Sequence, residues 1–79
     1  MQIIGKRFFK KVCNENVIIT VTGFEPEGDM YETSCYVGKA QHILIDNNGK
    51  FETYITDFCH DAESFMRSIV QLNTVLIEN

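Results

Sequence analysis

Asp46-Asn47-Asn48-Gly49 separates an apolar run, Ile43-Leu44-Ile45, from a segment of two distinct faces. Asn-Gly supplies the positive φ angles that a tight hairpin needs, so the flanking segments should pair as antiparallel strands. On the leading side, Gln41-His42-Ile43-Leu44-Ile45 reads as one strand. On the returning side, Lys50 to Thr56 places Phe51, Thr53 and Ile55 on one face and Glu52, Tyr54 and Thr56 on the other. Upstream, Val17-Ile18-Ile19-Thr20-Val21-Thr22 is rich in β-branched residues and reads as a strand, with Val17, Ile19 and Val21 opposed to Ile18, Thr20 and Thr22. Phe24-Glu25-Pro26-Glu27-Gly28-Asp29 holds the sole proline and marks a loop. A further strand runs from Met30 to Val37, and Gly38-Lys39-Ala40 reads as a turn.

The period changes near the C-terminus. Ala62, Phe65, Met66, Ile69, Leu72, Asn73 and Leu76 fall on a helical stripe, and Asp57 or Asp61 can cap its start. These segments predict a single α+β domain over residues 1–79. An antiparallel β-sheet of three to four strands over 17–57 is covered by a C-terminal amphipathic α-helix over 59–77. Residues 1–13 form a basic N-terminal segment. Phe8 with Val12, or Phe9 with Cys13, are spaced for a short helix, whereas Gln2-Ile3-Ile4 could form an edge strand, with Gly5 between them. Both faces of the first strand carry apolar residues, and a face left bare would be a natural dimer seam.

Charge is unevenly placed. Four of seven positive side chains, Lys6, Arg7, Lys10 and Lys11, lie in Lys6-Arg7-Phe8-Phe9-Lys10-Lys11, all eleven acids come from Glu15 onward, and the formal charge is −4. The basic cluster is a candidate polyanion patch, but the acidic body would repel a long nucleic acid, so direct nucleic-acid binding is not expected. The more economical reading is that one or both phenylalanines anchor the segment to the core while the Lys and Arg stems cover the edge. A homo-oligomeric structural or adaptor protein, joined through this basic segment and the acidic body of another copy, is the alternative class.

Glu25, Glu27, Asp29 and Glu32 crowd the first loop and the strand after it, with Tyr31 and Tyr36 nearby as aromatic contact candidates. Negative charge on such a loop can occupy a basic groove of another protein, gaining on-rate by steering. Cys59-His60 beside Asp57 and Asp61 suggests a nucleophile and a base, but neighbouring residues rarely face each other and a working pair is assembled in space, so no catalytic residue and no enzyme activity are assigned. Cys35, His42, Cys59 and His60 lack the close ligand pairs of structural zinc, and no metal or cofactor is expected. Three cysteines, Cys13, Cys35 and Cys59, form no disulfide framework. With no long apolar run, the chain reads as a cytoplasmic protein without a membrane span.

The stretch His42-Ile43-Leu44-Ile45-Asp46-Asn47-Asn48-Gly49-Lys50-Phe51, followed by Phe65-Met66-Arg67-Ser68-Ile69, resembles the hairpin-and-helix pattern of small acidic phage-encoded inhibitors of the anti-CRISPR type. The resemblance implies a protein partner, a nucleic-acid-binding complex of a bacterial host, whose basic groove acidic side chains would occlude. Glu25, Glu27, Asp29 and Glu32 are the candidates for that role, acting in the host cytoplasm. The basic N-terminal segment departs from a uniformly acidic mimic.

Overall fold

The computed structural model describes residues 2–26 and 33–78. Among the described residues, five strands, β1 (Arg7–Val12), β2 (Glu15–Glu25), β3 (Cys35–Ile45), β4 (Phe51–Asp61) and β5 (Thr74–Glu78), accompany one helix, α1 (Ala62–Val70). All strand pairs are antiparallel, in the order β4-β3-β2-β1-β5. The α+β class and the β3–β4 pairing agree with the sequence, but the sheet has five strands, not three or four.

The additional strands come from segments whose pattern misleads. The basic segment is not the short helix that the spacing of its phenylalanines allows. From Arg7 onward it is β1, an interior strand between β2 and β5, joined to β2 by the two-residue loop Cys13-Asn14. Cys13 takes φ +54°, the positive value a two-residue hairpin requires at one or both loop positions. Phe8 is fully buried on one side, while Phe9 turns to the other.

At the C-terminus the helix ends at Val70, not near residue 77. Leu72 adopts φ +61°, and two bonds close the helix behind it: Leu72 N donates to the Ile69 carbonyl at 3.1 Å and Asn73 N to the Ser68 carbonyl at 2.9 Å. This is a Schellman stop with leucine where glycine is usual. The chain then re-enters the sheet as β5, so Leu76 lies on a strand and not on the helical stripe.

The Gly38-Lys39-Ala40 turn is also absent, because β3 runs straight through it. Gly38 is needed for a different reason. The β2–β3 register shifts between Val21 and Gly23, and a Cβ on Gly38 would sit 1.9 Å from the Thr20 carbonyl oxygen. The Asp46–Lys50 turn behaves as its sequence asks. Gly49 has φ +78°, and Asp46 Oδ1 accepts from the backbone nitrogens of Asn48 and Lys50 at 2.8 and 2.9 Å.

α1 leaves the β4 edge and delivers the chain to β5 at the opposite edge, so it lies across the strands. Asp61 is its N-cap; Oδ2 accepts from Ser64 N at 2.9 Å, and Oδ1 accepts from the Thr33 hydroxyl at 2.7 Å. Phe65, 2 % exposed, is the centre of the core. Phe8 and Phe58 both meet its ring at 5.4 Å between centroids, and Tyr36 at 5.8 Å. Ile3, Val17, Ile19, Val21 and Ala40 complete the buried cluster. No helix among the described residues is long and apolar enough to cross a membrane.

Two substitutions check this account. Gly38→Ala forces a methyl into a backbone carbonyl and should cost more than about 3 kcal/mol, a large part of the roughly 4–12 kcal/mol available to a domain of this size. Leu72→Gly should instead stabilise by about 1 kcal/mol, because the αL cost of a non-glycine residue is removed and the side chain is 77 % exposed. Urea titration followed by circular dichroism reads both; an unchanged midpoint for either variant contradicts the assigned backbone geometry.

Candidate functional site

Because α1 is nine residues long and crosses strands of eleven, it covers a band of one sheet face and leaves the rest of that face open. A half-open cavity of about 260 Å³ lies beside the helix, walled by Val17, Ile19, Ala40, Phe58 and Phe65, with Lys10, His42, Thr56 and His60 among its polar lining. At its open end four residues from three strands form a connected polar cluster. Glu15, His42 and Tyr54 meet because β2, β3 and β4 place Val17 opposite His42 and His42 opposite Tyr54.

His42 Nδ1 lies 3.0 Å from Glu15 Oε2, and its Nε2 lies 2.8 Å from Thr56 Oγ1. A carboxylate only accepts, so Nδ1–H donates to Glu15, and in the neutral ring Nε2 accepts from the threonine hydroxyl. The Tyr54 hydroxyl donates to the other Glu15 oxygen at 2.7 Å, and the Tyr54 ring stacks on the imidazole at 4.5 Å with a 2° interplanar angle. The bonds from Tyr54 and then His42 hold the Glu15 carboxyl below its ordinary value, and the same carboxylate raises the Tyr54 phenol. The connectivity of hydroxyl, imidazole and carboxylate can relay a proton. Its position across three strands also makes it a clamp on their register. Nothing in local sequence foretells it: Glu15 and Tyr54 are 39 residues apart.

The residues singled out from the sequence are dispersed. Glu27, Asp29, Tyr31 and Glu32 lie outside the described residues. Glu25 is exposed at the end of β2, where the Cys35 thiol reaches its Oε2 at 4.0 Å. Tyr36 is half-buried against Phe24 and Phe65, which gives it a packing role. The basic cluster is split between faces: Phe8 and Lys10 lie on the helix side, whereas Arg7, Phe9 and Lys11 lie on the opposite side. Arg7 is paired with Glu78 at 2.9 Å.

Cys59 and His60 point to opposite faces of β4. The Cys59 thiol lies 3.5 Å from Cys35 Sγ, while His60 Nδ1–H donates to the Asp61 carbonyl at 3.0 Å and its ring packs near Phe65. They are not brought together as nucleophile and base. Among the described residues, no group of three or more His, Cys, Asp or Glu side chains is placed to hold a metal ion.

The other sheet face is uncovered by any described element. Its central row runs Ile55–Gln41–Ile18–Phe9–Val75, one residue from each of the five strands. Beside it runs Asp57–Lys39–Thr20–Arg7–Glu78, in which the outer pairs Lys39–Asp57 and Arg7–Glu78 are ion-paired. The Lys39 ammonium lowers the Asp57 carboxyl. On the far side, Thr53–Ile43–Asn16–Lys11 is followed by Phe51–Ile45. Phe51, Ile55 and Ile45 are 66 %, 68 % and 56 % exposed.

Comparison of the chain with protein-family models, curated proteins and solved structures finds no match. Function therefore has to be argued from these two surfaces.

The cluster and the helix cap fix the acid response. The Glu15, Asp57 and Asp61 carboxyls are all lowered, Asp61 chiefly by the Thr33 hydroxyl. The unfolded chain thus takes up protons first as pH falls. Stability should hold above roughly pH 4–5 and decline as pH drops through the folded values. The raised Tyr54 phenol acts in the opposite sense: its contribution is present below about pH 10 and is lost above it. Tyr54→Phe should flatten both ends of the urea-midpoint profile; a profile identical to wild type would show that the Glu15–Tyr54 bond contributes nothing.

Proposed function

We propose that this chain is a protein-binding module that acts by contact, with the bare sheet face as its adhesive surface. One observation carries the reading: a row that is apolar on four of the five strands, with Gln41 on β3, is flanked by exposed Phe51 and Ile45 and is covered by no described element. Large exposed apolar patches on small domains mark interaction sites, since leaving such area in water costs about 25 cal/mol per Å².

The narrower form of this proposal is an inhibitor that occludes a basic nucleic-acid-binding groove. It draws support from the chain's net charge of −4 and from Glu25, which is exposed and stands, by register, on the same side as the bare face. A depression of about 340 Å³ beside it is lined by Thr22, Val37, Lys39 and Asp57. In this version the largely apolar row supplies adhesion, and Glu25 at the end of β2 favours a basic target and speeds its approach.

The test is capture by the immobilised, nuclease-treated chain from a bacterial lysate, run beside Phe51→Glu/Ile55→Glu and Glu25→Lys. The double variant should lose bound protein at least about tenfold, as expected when a charge enters the centre of an apolar contact. Glu25→Lys should weaken capture mainly at low salt, where surface charge is least screened. Equal capture by wild type and the double variant overturns the reading.

A further inference from the structure

Resting on that reading, we infer that the bare sheet face is occupied by a second copy of this chain, packed face to face as a symmetric β-sandwich. Sheets pack about 10 Å apart with strand directions within about 30° of each other, burying the alternate residues of both inner faces. A two-fold axis along the central row would set Ile55, Ile18, Phe9 and Val75 each near its own equivalent, the self-complementary contact that two-fold dimers use.

Three observations favour a copy of this chain over an unrelated protein. The first is charge. Two chains of net −4 repel, but the bare face carries Arg7, Lys11 and Lys39 against Glu25, Asp57 and Glu78, four of these six are already paired within the chain, and Glu25 stands at the far end of β2. It is therefore a surface on which two acidic copies can meet without acid facing acid at the centre. The second is area. Five strands about 4.8 Å apart and four residue rows make a footprint of roughly 500–600 Å² per copy, so a dimer covers about 1,000–1,200 Å². That reaches the lower bound for a specific interface, the size class of weak and transient contacts.

The third is the poverty of the chain's own core. One nine-residue helix covers a band of one face, and the chain exposes 5488 Å² where a compact 9.1 kDa monomer exposes about 4,900 Å². A second sheet supplies the layer that this architecture lacks.

Sedimentation equilibrium on the full chain, from about 1 to 100 µM, tests the inference over the affinity range such an area allows. The weight-average mass should rise from 9.1 kDa towards twice that value. Ile55→Glu, at a 68 % exposed position, should remain at the monomer mass with an unchanged circular dichroism spectrum. Gln41→Glu distinguishes face packing from edge pairing: it charges the middle of the face, on the proposed axis, and leaves the β4 edge intact. A Gln41→Glu protein that still dimerises overturns the face-to-face arrangement. A wild type that stays at 9.1 kDa throughout overturns self-association. If that monomer still captures another protein in a manner that Phe51→Glu/Ile55→Glu abolishes, the contact reading stands without the dimer; if it captures none, both fall.

Discussion

A helix of nine residues has to carry this chain from one edge of a five-stranded sheet to the other. The edges are about four strand spacings apart, close to 19 Å, and the helix supplies about 13.5 Å of that distance. The crossing direction is therefore imposed by chain length, and Phe65 becomes the residue through which both layers meet. Phe8, Tyr36 and Phe58 converge on it because β1, β3 and β4 all pass beneath the same short span. The open cavity on the helix side and the bare opposite face follow from the same shortage of helix.

Much of the fold was legible where local chemistry and global structure agree. The Asn-Gly turn, the faces of β2 and β4, and the Asp61 cap all depend on residues close together in sequence. The failures share a cause. β1 has no polar alternation because Phe8 and Phe9 each serve a different apolar face, so the period-two signal cancels. Gly38 resembles a turn residue, yet it is required by close approach of the Thr20 carbonyl from a neighbouring strand. The helical stripe continued past Val70 because Leu72 and Leu76 fit its spacing, and no glycine announced the stop.

The candidate surfaces were less legible than the fold. The Glu15–His42–Tyr54–Thr56 cluster is assembled by strand register across separations of up to 39 residues, and no local pattern records that. The acidic stretch was easy to notice, but of its members only Glu25 can be placed. The bare face was foreshadowed by apolar residues on both sides of the first strand. Its extent became visible only when β1 and β5 entered the sheet and aligned Phe9 and Val75 with Ile18.

β4 closes one side of the sheet, and among the described elements only β3 pairs with it. Eleven residues of extended backbone therefore present outward-pointing amides and carbonyls to solvent along that border. Such a border can template the addition of further strands, the usual liability of a long uncovered edge. Glu52 and Asp57 place one carboxylate on each face of that border, and charge on an edge strand opposes such addition.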